Sequence, residues 1–208
     1  MKQPFTTVRS VAVPMPDADI DTDIIFPARF LTLTQKLGLG RYAFHDQRFV
    51  NMGVERPDFV LHRAPWRGAQ ILVAGANFGC GSSREQAPWA LADLGLRCLI
   101  APGFGDIFEA NCLRNGLLPI RVGATAHALL LADAEAGRVL MVDLHALSIH
   151  RDASPAALIA FTLPDAQRAA ILAGVDEIDL LLQQEGEHIA AFQAAQRLRM
   201  PWLYTPSP

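Results

Sequence analysis

Short, continuous apolar runs alternate with helical segments between residues 69 and 122, and this alternation is the strongest constraint on the fold. The apolar runs cover residues 69–74, 97–101 and 117–122. Helices are predicted between them over residues 88–95 and 106–115, and the second helix ends before Gly116, a typical C-terminal residue. Strands that are apolar on both faces and separated by helices are typical of buried parallel βαβ units. The pattern therefore predicts an α/β fold with a parallel βαβ core.

The segments on either side of this core are less regular. Residues 7–13 predict a first strand, an acid-rich loop follows at 17–23, and residues 34–65 predict an irregular, mobile region rich in glycine and aromatic residues. After the core, the pattern predicts a helix (126–137), three strands (139–144, 147–150, 161–163), two helices joined at Gly174 (165–173, 176–198) and a frayed tail (201–208). No linker or repeat divides the chain. Residues 1–208 are therefore predicted to form a single domain with a helical C-terminal extension from about residue 165.

Charge and hydropathy exclude several classes of partner. Hydrophobic residues make up 51% of the 208 residues, which is enough for a packed core, and charged residues make up 19%. The net charge of −3 and the absence of a long basic run argue against nucleic acid and anionic membranes as partners. No apolar run reaches the ~18 residues of a membrane span, and the first residues lack the apolar region of a signal peptide. We therefore expect a cytoplasmic protein.

The cysteines give no sign of a disulfide framework or a metal site. Cys80, Cys98 and Cys112 are odd in number and widely spaced, which is not the pattern of paired thiols. They also lack the close C-x2-C pair that most zinc and iron–sulfur sites use. Cys98 lies inside an apolar run and is expected to be buried. The chain itself is therefore expected to carry no metal and no cofactor.

Residues 77–85 have the sequence NFGCGSSRE, which is unusual for a turn between a strand and a helix. Ligands of α/β proteins bind at such turns, because the helix start attracts anions and Arg84 can grip a carboxylate or phosphate. A purely structural alternative is a capping box, through Ser82 with Glu85 or Ser83 with Gln86. The residues alone leave both readings open. Two catalytic motifs are excluded, since the loop lacks the lysine of a P-loop and the second glycine of G-x-S-x-G.

Alternating aspartates in the acid-rich loop suggest a calcium site. An EF-hand would need glycine where Ile24 stands and glutamate where Phe30 stands, so this motif is excluded. A turn held by bonds from aspartate side chains to the backbone is the favoured interpretation. A functional role for the same residues is the alternative.

The loop sequence NFGCGSSRE resembles the active-site loop of the aconitase swivel domain. Four more segments, DTD (21–23), PARF (27–30), GDIF (105–108) and GVDEIDL (174–180), are similar to those of the small subunits of 3-isopropylmalate dehydratase. The resemblance covers nearly the whole chain. It implies an aconitase-like swivelling domain, a three-layer β/β/α fold with a parallel βαβ core and a helical C-terminus.

The resemblance also implies a function. Members of this family are hydro-lyases that interconvert 2-isopropylmalate and 3-isopropylmalate by dehydration and rehydration through isopropylmaleate, in the leucine branch of branched-chain amino acid biosynthesis. They act as a heterodimer with a large subunit, which holds a 4Fe-4S cluster, on a small dicarboxylate substrate. Rival readings are a related hydro-lyase subunit, such as homoaconitase or a 2-methylmaleate hydratase, and a non-enzymatic anion-binding module.

The resemblance further assigns roles to single residues. Ser82 is implied to be the catalytic base. The residues implied or predicted to contact the substrate are Ser83, Arg84, Arg29, Asp21 and Thr22, and those of the active-site loop are Gly79, Cys80 and Gly81. Two residues depart from the family pattern. Gln86 stands where histidine is usual and cannot relay a proton by changing charge, and Phe26 replaces the usual small aliphatic residue before Pro27, which mainly affects packing. The residues from Thr32 to Gly40 do not reveal which dicarboxylate is preferred.

Overall fold

The computed structural model describes residues 3–50, 53–152 and 154–204. The strands are β1 (Thr7–Met15), β2 (Phe49–Val50), β3 (Val54–Glu55), β4 (Ile71–Ala74), β5 (Cys98–Ala101), β6 (Leu118–Arg121), β7 (Val139–Asp143), β8 (Ser148–Arg151) and β9 (Ser154–Ala160). The α-helices are α1 (Thr22–Ile25), α2 (His45–Arg48), α3 (Gln86–Asp93), α4 (Asp106–Arg114), α5 (Ala124–Glu135), α6 (Asp165–Ala173) and α7 (Glu177–Arg199). Short 3-10 turns lie at Ala28–Phe30, Gly40–Tyr42, Val60–His62 and Pro201–Leu203.

One mixed sheet organises these elements, with the strand order β6-β5-β4-β1-β7-β8-β9. Its first half is parallel, because β1, β4, β5 and β6 run in the same direction. Its second half is antiparallel from β1 to β9. Strand β1 serves both halves, since its first residues pair with β7 and its last residues, from Ala12, pair with β4. The predicted parallel βαβ core is confirmed.

The parallel strands are buried on both faces, as their continuous apolar sequences predict. In β4, Leu72 belongs to one apolar cluster and Val73 to a second cluster on the opposite face. The first cluster includes side chains of α3, α4 and the region from residue 20 to 44. The second includes side chains of α5, α6 and the antiparallel strands. Side chains alternate between the faces of a strand, and β1, β4 and β5 each contribute to both clusters.

A buried ion pair attaches α5 to the antiparallel half of the sheet. The Asp133 side chain is fully buried, and its carboxylate accepts hydrogen bonds from Arg138 Nη1 (2.9 Å) and Arg151 Nε (2.5 Å). Burial acts to raise the pKa of Asp133, but the two guanidinium groups more than compensate and hold this pKa below its usual value. The carboxylate is therefore ionised at neutral pH.

Two predictions about secondary structure are wrong. The strand predicted at residues 161–163 lies earlier in the chain, as β9, which is an edge strand of the sheet. An edge strand tolerates proline, so Pro155 does not exclude the sequence SPAALIA from the sheet. Residues 34–65 contain short helices and the β2–β3 hairpin, and they are packed rather than loose, since the side chains of Leu39, Phe44 and Leu61 are buried.

The C-terminal helices follow the prediction closely. α6 ends at Gly174, whose left-handed backbone (φ 69°, ψ 29°) suits glycine, and α7 begins two residues after Val175. A 3-10 turn occupies the start of the tail that was predicted to be frayed, and residues 205–208 lie outside the described residues. No helix in the described ranges is long and apolar enough to cross a membrane.

Candidate active site

The loop at residues 77–85 follows β4 and is tied along one side to the acid-rich loop. The backbone N–H of Gly79 donates to the carbonyl oxygen of Ile20 (2.7 Å). The N–H of Thr22 donates to the carbonyl oxygen of Cys80 (2.9 Å). These bonds extend the β1–β4 contact beyond the end of the strands. They bring the DTD motif and the glycine loop side by side, although the two are far apart in sequence.

The other side of the glycine loop is tied to the turn that precedes α4. Phe78 N–H donates to the Gly103 carbonyl oxygen (3.1 Å), and Gly105 N–H donates back to the Phe78 carbonyl oxygen (3.0 Å). The Phe78 ring is fully buried and meets the Phe108 ring edge-on, at 5.6 Å between centroids. The GDIF motif therefore forms the second wall of the same site.

Glycine is required at two places where these segments touch. Gly79 has a left-handed backbone (φ 74°), and a β-carbon there would lie 2.2 Å from Cγ of Phe108. A β-carbon at Gly105 would lie 2.6 Å from the Gly79 carbonyl oxygen. Real β-carbons do not approach other atoms so closely. The glycines thus allow three chain segments to pack directly against one another under the site.

The start of α3 excludes the capping-box alternative. The helix begins at Gln86, its N-cap is Glu85, and no side chain makes the cap hydrogen bond. Pro88 is the third residue of the helix. The N–H groups of the first turn have no acceptor within the helix, so a proline, which lacks an N–H, is tolerated there. Ser82 and Ser83 are both exposed, and neither hydroxyl has a hydrogen-bond partner among the described residues. These serines are therefore available to a ligand.

The backbone of the same turn presents a row of amide groups. Within the described ranges, the N–H groups of residues 81–86 have no hydrogen-bond acceptor, while that of Ala87 donates to the Arg84 carbonyl oxygen (3.2 Å). Consecutive free N–H groups form a concave site for an anion. The loop therefore combines an electropositive backbone with two free hydroxyls.

Arg84 is held in place by the DTD motif and by the backbone of Phe26, which precedes the PARF motif. Its side chain is only 11% exposed, and Nη1 donates to the Asp23 carboxylate and to the carbonyl oxygen of Phe26 (3.3 Å). The buried Thr22 hydroxyl donates to the Ser82 carbonyl oxygen (2.9 Å). Sequence reasoning did not predict a role for Asp23. The presence of a carboxylate two residues after Asp21 was visible, but its pairing with Arg84 depends on how the two loops pack.

The structure gives Asp21 and Arg29 contacts of other kinds. Asp21 caps α1, because its Oδ1 accepts a hydrogen bond from the Ile24 N–H (2.8 Å). This bond confirms, at Asp21, the predicted bonding of aspartate side chains to the backbone of the acid-rich loop. The Arg29 guanidinium forms a bidentate pair with Asp46 and lies 4.6 Å from the centre of the Phe30 ring. A hydrogen bond from Arg29 is the main reason that the pKa of Asp46 lies below its usual value.

The cysteines do not form a metal site. Cys80 is partly exposed in the loop, and burial, followed by the negative charges of Asp19 and Asp21, raises the pKa of its thiol. Cys98 and Cys112 are buried apart from it, and burial raises both of their pKa values as well. No group of three or more His, Cys, Asp or Glu side chains in the described part of the chain is placed to hold a metal ion. The residues present do not fit an iron–sulfur cluster, which needs several converging thiolates.

Comparison with known proteins places this site in a family. Residues 2–125 match the aconitase C-terminal domain. The chain is 45% identical over 201 residues to the 3-isopropylmalate dehydratase small subunit of Paramagnetospirillum magneticum, covering 96% of this chain and 98% of that relative. The chain belongs to the 3-isopropylmalate dehydratase small-subunit family. Another member, from Gluconacetobacter diazotrophicus, is 48% identical over 200 residues, with 95% of each chain covered.

A solved structure supports the same assignment. The chain resembles the 3-isopropylmalate dehydratase structure from Methanocaldococcus jannaschii with a TM-score of 0.64 and 26% identity, over 90% of this chain and 99% of that one. The predicted aconitase-like α/β fold is thereby confirmed. The family name also implies a large-subunit partner. The glycine loop and the motifs beside it all lie inside the part that matches the aconitase domain, whereas α6 and α7 lie beyond it.

Proposed function

We propose that this chain is the small subunit of a 3-isopropylmalate dehydratase and supplies the base and the anion-binding groups for dehydration and rehydration of isopropylmalate in leucine biosynthesis. The observation that carries the proposal is the exposed Ser82, with no partner of its own in the described chain, beside free backbone N–H groups and a fixed Arg84. Membership of the family supports it.

Ser82 is the proposed base. Its alkoxide oxygen takes the proton from the carbon next to a substrate carboxylate, the electron pair of that C–H bond forms the double bond of isopropylmaleate, and the hydroxyl on the neighbouring carbon leaves as hydroxide. A serine oxygen accepts a proton readily only where its anion is stabilised. The free N–H groups of residues 81–86 provide that stabilisation, in the manner of an oxyanion hole. Readdition of water in the opposite sense moves the hydroxyl to the other carbon.

Arg84 is the proposed carboxylate clamp. Because Asp23 and Phe26 hold Nη1, the edge formed by Nε and Nη2 remains for a bidentate bond to a substrate carboxylate. Asp23 thus fixes the direction in which the guanidinium points. Ser83, which is exposed and adjacent, is a second proposed contact.

The remaining predicted contacts lie at the edge of the site. Arg29 is a proposed contact for a second carboxylate, since its side chain is half exposed, although it must share its donors with Asp46. We propose supporting roles for Asp21 and Thr22 in place of the direct contacts that the resemblance suggested. Thr22 is buried and fixes the backbone at Ser82, and Asp21 caps the helix that carries Thr22. Gly79, Cys80 and Gly81 form the backbone that positions Ser82.

A complete reaction requires the large subunit. We propose that the large subunit holds the 4Fe-4S cluster, which when bound supplies a Lewis acid for the departing hydroxyl. The two chains form a heterodimer with the dicarboxylate substrate between them. A second candidate function, an anion-binding module without catalysis, is favoured by the free N–H groups alone.

Mixing the two chains distinguishes these functions. The purified chain is combined anaerobically with its large subunit, after iron and sulfide have been reconstituted, and conversion of 3-isopropylmalate is followed. We expect turnover with both chains and none with either chain alone, together with weak binding of isopropylmalate by the isolated small subunit. Tight binding by the isolated chain and no turnover in the mixture would establish the anion-binding module instead.

A further inference from the structure

The C-terminal helix α7 is the longest helix of the structure and is almost entirely exposed. It begins at Glu177, well beyond residue 125 where the match to the aconitase domain ends. None of its described residues is buried, and none belongs to either apolar cluster. Helices of soluble proteins normally gain their stability by packing an apolar face. The exposure of α7 therefore indicates a partner outside the chain.

One side of α7 carries an apolar stripe. Its members, spaced i, i+3, i+4, i+11 and i+14 so that they share one helix face, are Ile178, Leu181, Leu182, Ile189 and Phe192. Ile178 is 70% exposed and Phe192 is 66% exposed. With a rise of 1.5 Å per residue, the stripe is about 21 Å long. Glu185 lies on the same face between Leu182 and Ile189, so the stripe consists of two patches of exposed apolar side chains. Grouped exposed apolar side chains mark an interaction surface, whereas single exposed ones do not.

The first residue of the stripe borders a cleft that also reaches the glycine loop. A cleft of about 430 Å³ is lined by Ile178 at the start of α7 and by Glu85, the residue that follows Arg84 in the glycine loop. Lys36 and Arg114 line the same cleft. The end of the glycine loop and the start of α7 therefore border the same cleft.

We propose that the apolar stripe of α7 docks on the large subunit and anchors the small subunit to it. This inference rests on the proposed function, in which the glycine loop must face the large subunit, so that the cleft shared by that loop and the start of α7 faces it too. The matching domain is by its name the C-terminal domain of a longer chain, whereas this chain is a separate small subunit. A separate chain needs a non-covalent attachment. The part outside the shared domain supplies one, and relatives covered over 95–98% of their length share that part.

The test compares two triple variants of α7. The stripe variant is Ile178→Gln/Leu182→Gln/Phe192→Gln. The control variant is Ala191→Gln/Ala194→Gln/Leu198→Gln, which places the same polar side chain at exposed positions on the opposite side of the helix. Affinity for the immobilised, reconstituted large subunit is measured for each. We expect the stripe variant to raise Kd roughly 100-fold, since buried apolar anchors dominate such interfaces, and the control to stay within about threefold of wild type.

Further readouts keep the outcome clear. Circular dichroism must show the same helix content in both variants. If the triple substitution unfolds α7, the single Phe192→Ala replaces it, with roughly tenfold weaker binding expected. A Kd within about threefold of wild type for the stripe variant would overturn the proposal, as would sedimentation showing that the stripe holds together two copies of this chain. Wild-type binding without isopropylmalate turnover would instead defeat the proposed function and leave the docking surface intact.

Discussion

Replacing Gly79 with alanine tests how the glycine loop is held. The new β-carbon would lie 2.2 Å from Cγ and 2.3 Å from Cδ1 of Phe108, whose side chain is buried against Phe78. The backbone at Gly79 is also left-handed, with φ of 74°. Gly79→Ala therefore combines backbone strain with an overpacked contact, and both act directly beneath Ser82.

The magnitude follows from these two costs. A left-handed backbone costs a residue with a β-carbon about 1–2 kcal/mol, and overpacking a filled core costs about 1–3 kcal/mol. We therefore expect Gly79→Ala to lower the free energy of unfolding by about 2–5 kcal/mol. Gly68 is a matched control, because its φ is 78° and a β-carbon there would meet nothing within 4 Å. Gly68→Ala should cost only the backbone strain, about 1–2 kcal/mol.

Denaturant unfolding followed by circular dichroism measures both losses, provided that the slope m is unchanged. A second comparison adds Phe108→Leu to Gly79→Ala, which removes part of the ring from the contact. The double variant should lose less stability than the sum of the two single losses, because the residues touch. Equal losses for Gly79→Ala and Gly68→Ala, with additive behaviour of the double variant, would refute the proposed contact.

Three further predictions follow from the geometry of single side chains. Cys80 should react slowly with iodoacetamide at pH 7.5 and faster as pH rises above ~8.5, because its raised pKa lowers the thiolate fraction. Asp21→Asn should speed the reaction, because it removes one of the negative charges that raise this pKa. A rate equal to that of a free thiol peptide would contradict this prediction. Asp133→Asn should cost about 3–5 kcal/mol of stability at pH 7 by leaving two guanidinium groups without their carboxylate. Because the pKa of Asp133 is depressed in the folded state, its contribution to the free energy of unfolding is present above pH ~4 and is lost as pH falls through the pKa of the folded state. The melting temperature of Asp133→Asn should therefore lack this dependence on acid pH. Asp23→Asn should raise KM by roughly 10- to 100-fold by releasing Arg84, while Asp152→Asn, at a half-exposed carboxylate that pairs with Arg9 away from the site, should leave KM unchanged.

The regular part of the fold could be predicted because local pattern and tertiary environment agree there. The strands β4 and β5 are apolar throughout, and the structure buries them on both faces. Where the local sequence pattern and the tertiary environment disagree, the prediction of secondary structure failed. Strand β9 has the sequence SPAALIA, whose proline and alanines disfavour a strand until an edge position accepts them. Phe44 and its neighbours show no period, yet they pack against α1 through a bond from Phe44 N–H to the Ile25 carbonyl oxygen (2.8 Å).

The same distinction applies to the candidate site. The loop NFGCGSSRE was recognisable as a contiguous motif, and the residues alone could not decide between capping and ligand binding. The capping alternative depended on where α3 begins, and the start of α3 at Gln86 excludes it. The role of Asp23 was not predicted, because its contact with Arg84 joins residues that are 61 positions apart. The contact between Gly79 and Phe108 could not be predicted either, because it depends on how the glycine loop packs against the segment at Phe108.

Turnover of Ser82→Ala in the reconstituted two-chain enzyme tests the central claim most directly. The Ser82 hydroxyl has no partner among the described residues, so its loss should change the free energy of unfolding by less than about 0.5 kcal/mol. Loss of a positioned base should lower kcat by roughly 10²–10⁴-fold. Ser83→Ala, at the neighbouring exposed hydroxyl, is the matched control and should have a smaller effect on kcat. A fall in kcat of this size at unchanged stability is the predicted result, and turnover of Ser82→Ala near that of the wild type would contradict the account.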